Sequence, residues 1–153
     1  MSADRELHAE TTINASPDRV WKLLTNLDRM PEWSPELVKM LPLKPGGLRV
    51  GQWYVGINRR KGMVWPTRNV VAVLEPGKTL AWDTKTSGAR WIFEVAPEGE
   101  GTRLAQRRPV PTRLTLISKA FAPVVLGGSD AHADELEAGM RTTLSRIKAT
   151  LES

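Results

Sequence analysis

Residues 17–33 read PDRVWKLLTNLDRMPEW, and the organisation of the whole chain can be worked outward from them. Ser16 followed by Pro17 supplies an N-cap and a first-turn proline, the chemistry of a helix start. Val20, Trp21, Leu24 and Leu27 then recur at helical spacing. Pro31 is expected to stop this element and Pro35 to begin another short turn of helix. Immediately upstream, Leu7, Ala9, Thr11 and Ile13 alternate with Glu6, His8, Glu10 and Thr12, which reads as a half-buried strand over 6–14. Two short helices carrying the indoles Trp21 and Trp33 would therefore close one end of a sheet.

The rest of that sheet lies downstream. Turn signals recur at Pro45-Gly46-Gly47, Arg60-Lys61-Gly62, Glu75-Pro76-Gly77-Lys78, Ser87-Gly88 and Pro97 to Gly101. Between them, runs rich in Val, Trp, Ile, Leu and Thr predict strands at about 38–44, 49–59, 63–75, 79–85, 89–97 and 102–110. With the first strand they make a seven-stranded antiparallel meander. After Gly127-Gly128-Ser129-Asp130, the residues Ala133, Leu136, Met140, Leu144, Ile147 and Leu151 form one apolar stripe of a long helix. A curved sheet must cover its apolar face, and this helix is the long element available to do so. The expectation is an α+β fold in one domain over 1–153.

Bulk properties narrow the function. A chain of 153 residues fits one domain, and a domain of that size buries roughly 70% of its unfolded surface. With 41% hydrophobic and 25% charged residues, a packed fold is expected rather than disorder. There is no cysteine, so disulfides, thiolate catalysis and Cys-based metal sites are excluded. No secretory signal pattern opens the sequence, and the apolar run Ala120 to Leu126 is far short of the ~20 residues of a membrane span. A cytoplasmic protein is expected. The net charge of +5 raises the question of nucleic acid. Yet the basic clusters Arg59-Arg60-Lys61 and Arg107-Arg108 come without a recognition motif, so no specific nucleic-acid partner is expected.

Several segments resemble the helix-grip superfamily (SRPBCC) that includes START domains, the major pollen allergens and the polyketide cyclase/dehydrase and lipid-transport proteins. Pro17-x-x-Val20-Trp21-x-x-Leu24-Thr25 with Pro31-x-Trp33 is similar to its first motif. Glu75-Pro76-Gly77-Lys78-x-Leu80-x-Trp82 resembles its central hairpin, Gly101-Thr102-x-Leu104-x-Gln106 its last strand, and Leu136 to Lys148 its final helix. Asn26 and Gln106 stand where acidic residues are common in the family. The resemblance implies a curved sheet wrapped around the C-terminal helix, with two short helices after the first strand and a ligand cavity between sheet and helix. It leaves function open, because such folds host carriers, cyclases and co-chaperone-like modules.

Parity suggests the cavity lining. Trp91, Phe93 and Val95 share a face opposite Arg90, Ile92 and Glu94, and Leu80 and Trp82 pair with them from the neighbouring strand. For Tyr54 against Trp53, and Trp65 against Arg68, parity does not decide. The expected ligand-binding set is Tyr54, Trp65, Arg68, Trp82, Trp91, Phe93, Gln106, Phe121 and Met140. The simpler alternative is that the aromatics fill a core. Asn58, Arg68, Gln106 and Arg108 are the polar candidates, with Arg68 and Gln106 the ones to consider for catalysis. A plainer reading puts Arg68 and Arg108 on the convex face in solvent.

No nucleophile–base pair assembles around His8 or His132, and no zinc, Walker or dinucleotide pattern occurs. No metal or cofactor is expected. Residues 114–126 read either as a lid or membrane-docking face at the cavity mouth, giving transient membrane contact, or as a short helix packed on the sheet edge. The first expectation is binding or transport of a hydrophobic small molecule (lipid, isoprenoid or polyketide-like) by a monomer or homodimer, without catalysis. The alternatives are a polyketide cyclase or dehydratase acting on a poly-β-ketone, and a protein-interaction module.

Overall fold

The computed structural model describes residues 6–86, 88–109 and 129–152, with the side chains of 129–132 excepted. Strands β1 (Leu7–Ile13), β2 (Leu37–Pro42), β3 (Trp53–Arg60), β4 (Met63–Glu75), β5 (Thr79–Thr84), β6 (Ala89–Glu98) and β7 (Gly101–Arg108) form one sheet in the order β1-β7-β6-β5-β4-β3-β2. Every neighbouring pair is antiparallel. The expected turn chemistry is visible at the β3–β4 hairpin. Lys61 (φ 50°) and Gly62 (φ 83°) are consecutive left-handed residues, the backbone of a two-residue turn that matches the strands' twist.

Helix α1 (Pro17–Leu24) starts as its sequence requires, with the Ser16 hydroxyl accepting the Arg19 amide at 3.3 Å. A 3-10 helix (Leu27–Glu32) follows, and here the structure departs from expectation. Pro31 lies inside this helix rather than ending it. The ring's fixed φ suits a 3-10 turn, and the Met30 carbonyl accepts the amides of Trp33 and Ser34 beyond the proline. Pro35 begins no helix, because β2 starts two residues later.

Helix α2 (Ser129–Glu152) carries the apolar stripe read from sequence. Ala133, Met140, Leu144, Ile147 and Leu151 are buried and Leu136 is half-buried. Each buried Leu, Ile or Met of this kind stabilises by roughly 1.5–3 kcal/mol. The helix also solves an edge problem. Among the described residues β1 pairs only with β7, and its outer backbone groups are met by α2 side chains. Glu137 accepts the His8 amide at 3.1 Å, Lys148 donates to the Thr12 carbonyl, and Glu152 accepts the Asn14 amide at 2.7 Å. Trp33, directly after the 3-10 helix, is fully buried, and Trp21 of α1 partly so.

Candidate functional site

The register defines the inner rows of the sheet. Ala9, Gln106, Phe93, Leu80 and Leu74 lie in one row across β1, β7, β6, β5 and β4. Trp91, Trp82 and Val71 make the next across β6, β5 and β4. Ala89, Thr84, Asn69 and Tyr54 make a third, reaching β3. Phe93 and Leu80 are buried, whereas Trp82 and Trp91 retain partial exposure. The Trp82 and Phe93 rings meet with centroids 5.7 Å apart at 39°, a tilted aromatic contact.

Polar groups are embedded among these rings. Thr84 Oγ1 donates to Asn69 Oδ1 at 2.7 Å. Asn69 Nδ2 donates to Thr67 Oγ1 at 3.3 Å, and Asn58 Nδ2 donates to the same oxygen at 3.2 Å. Four side chains on three strands thus make a continuous ladder. It fits because residue 56 is glycine: a Cβ there would lie 2.9 Å from Thr67 Oγ1. Further along, Gln106 is 7% exposed, and its Oε1 has no hydrogen-bond partner among the described residues. Arg108, equally buried, shares that face of β7 two residues on. Tyr54 is buried opposite Asn69. Burial pushes its phenol above the usual range, Asp28 adds to the rise and Arg49 opposes it, so at neutral pH it is a hydroxyl able to donate.

The site expected from sequence is partly brought together. Tyr54, Trp82, Trp91, Phe93 and Gln106 share the inner face, and Trp65 joins them toward the β3–β4 hairpin, half-buried opposite Asn58. Met140 is buried on the inner stripe of α2. Arg68 does not belong with them. It is exposed and alternates with Thr67 and Asn69, its amide donating to Thr86 Oγ1 at 3.1 Å, which places its side chain on the convex face. Arg108, assigned the same convex position by the plainer reading, is instead buried on the inner face. Phe121 and the segment 114–126 lie outside the described residues. Thr67, Asn69 and Thr84 are not legible from sequence, because isolated polar residues in a strand carry no periodic signal.

The outer face is of a different character. Arg90 grips Asp83 across β5 and β6 at 2.7 and 3.1 Å, and holds that carboxyl below its usual range. Arg107 bridges Glu94 at 2.8 Å and Glu6 at 3.3 Å. These ion-paired strands read as a solvated surface.

A curved seven-stranded sheet with its inner face turned to a C-terminal helix, and short helices after the first strand, is the helix-grip architecture. The family described as polyketide cyclase / dehydrase and lipid transport matches residues 4–152, and the chain belongs to it. No curated protein sequence matches the chain. Among solved structures, the polyketide cyclase-like protein Cgl2372 from Corynebacterium glutamicum is similar at 26% identity and a TM-score of 0.68, over 96% of this chain and 91% of that one. The di-domain ARO/CYC StfQ from the steffimycin biosynthetic pathway aligns at 20% identity and a TM-score of 0.73, over 99% of this chain and 52% of that one. Ara h 8.0201 aligns at 10% identity and a TM-score of 0.71, over 97% of both chains. The last two likenesses speak for the fold alone.

Proposed function

We propose that the inner face of the sheet binds a hydrophobic small molecule of the lipid, isoprenoid or polyketide class, and that the protein carries or senses it. The observation that supports this most is Gln106. An acceptor buried without a donor costs about 1–3 kcal/mol, and it stands beside Phe93 in register and near partly exposed indoles. A ligand with an apolar body and one hydroxyl or N–H would cover the indoles and satisfy the amide oxygen. Binding is favoured over catalysis by the side chains on hand. Among the described residues the inner polar groups are amides, hydroxyls, a phenol and a guanidinium, with no carboxylate or imidazole placed as a base.

The test is Gln106→Leu, which keeps the volume and removes the acceptor. The ligand-free protein should gain about 1 kcal/mol of stability by denaturant titration. Affinity for a hydroxyl-bearing apolar ligand, read from tryptophan quenching, should fall about tenfold. Unchanged affinity together with lowered stability would mean that Gln106 is merely a core residue.

A further inference from the structure

The tip of the β3–β4 hairpin is basic and apolar at once. Met63 is 69% and Val64 63% exposed, the highest values among the large hydrophobic residues described as exposed. They directly follow Arg59, Arg60, Lys61 and Gly62. No Asp or Glu occurs from Gln52 to Leu74. Arg60 is engaged by Glu135 of α2 and also feels Glu36, whose carbonyl accepts the Arg59 amide at 2.7 Å. Arg59 and Lys61 are exposed, and among the described residues no ion pair holds them.

Strand parity makes the arrangement specific. Met63 shares a face with Trp65, Thr67 and Asn69, and Val64 points to the other face. A partner lying flat against either face of the sheet would cover one of the two and miss the other. A medium that receives the tip end-on covers both. The preceding cations, alternating in the same way, would then meet a negatively charged rim around that medium. Burial also deepens steadily along the inner face of β4. Met63 is exposed, Trp65 and Thr67 are half-buried, and Asn69 and Val71 are 4% and 3% exposed. Exposure along the inner face of β4 thus rises toward the tip.

We propose that this hairpin docks end-on into an anionic lipid surface, inserting Met63 and Val64 and setting Arg59 and Lys61 against headgroup phosphates. The Lys61–Gly62 turn presents the apolar pair without a floppy loop, so little order is lost on insertion. The docked orientation points the more exposed end of β4's inner face at the bilayer. Docking stands independently of the ligand reading, since it needs only the tip.

Co-sedimentation of the full chain with phosphatidylcholine vesicles, and with an equal mixture of phosphatidylcholine and phosphatidylglycerol, tests this. Binding is expected to the mixed vesicles, to weaken steeply with added salt, and to be near background on phosphatidylcholine alone. Arg59→Gln with Lys61→Gln should weaken it about 30-fold, at roughly a factor of five per cation. Met63→Ser with Val64→Ser should weaken it at least about tenfold. Circular dichroism verifies folding of each pair, and the single variants Lys61→Gln and Met63→Ser serve if a pair does not fold. Variants that bind as the parent does would place the contact elsewhere on the chain. Absence of vesicle binding, binding only to a single-stranded oligonucleotide, or a concentration-dependent dimer abolished by Met63→Ser would each overturn the proposal.

Discussion

Thr67 Oγ1 is the node on which the inner polar ladder turns. It accepts from Asn58 and from Asn69, and it donates to the Gly56 carbonyl at 3.4 Å. Its position depends on the missing side chain at residue 56, where a Cβ would also come within 3.2 Å of Leu37 Cδ1. Gly56→Ala should therefore displace the hydroxyl and loosen both amides, at about 1–3 kcal/mol by denaturant titration. In a Thr67→Ala background the closest clash partner is gone and only the milder approach to Leu37 remains, so the same substitution should cost less. Additive costs in that cycle would show that the two residues do not meet. Such a ladder is nearly invisible in sequence. Trp91 and Phe93 could be placed because β6 keeps strict alternation. Asn69 and Thr84 could not, since only the register shows that one faces the other.

At the scale of elements, two bulges explain what could and could not be read. β4 carries an extra residue between Val71 and Val73 relative to β5, and β2 one between Leu37 and Lys39 relative to β3. Each bulge shifts the period-two pattern by one residue. Thus Val71 and Leu74 both take inner positions three residues apart, and parity counted along β4 gives a mixed face. The strands, their order of appearance and α2 were legible because turn chemistry and helical periodicity are local. The choice between Trp65 and Arg68 was not, because it depends on where the alternation breaks. α2 supplies a second element-scale expectation. The Asn14 amide and Lys148 hold the Glu152 carboxylate below its usual value of 4.5. A lowered carboxylate pKa adds stability that is present above the unfolded value and is lost as pH falls through the folded one. The stability difference between the parent and Glu152→Gln should accordingly be largest near neutrality and shrink below about pH 4.5. A difference constant across that range by thermal unfolding would mean that the carboxylate charge does not hold the helix end to β1.

On the scale of the whole molecule, the two faces of the sheet divide the labour. The outer face of β5, β6 and β7 is laced with cross-strand ion pairs, each of modest worth but together keeping that surface wet. The inner face mixes indoles with buried amides and hydroxyls, a composition poor for a sealed core and suited to a ligand that is apolar along its body and polar at one point. Trp33, just after the 3-10 helix, is fully buried, whereas Met63 at the β3–β4 tip is exposed. Trp21 and Trp33 pack in and beside the short helices, and under the proposed reading a guest would contact Trp82, Trp91 and Gln106. Native mass spectrometry, on the protein as purified and after incubation with a fatty acid, an isoprenoid alcohol and an aromatic polyketide, tests this most directly. The account predicts a one-to-one complex with at least one of these compounds, diminished in Gln106→Leu when the guest carries a hydroxyl. The bare protein mass in every spectrum would contradict it.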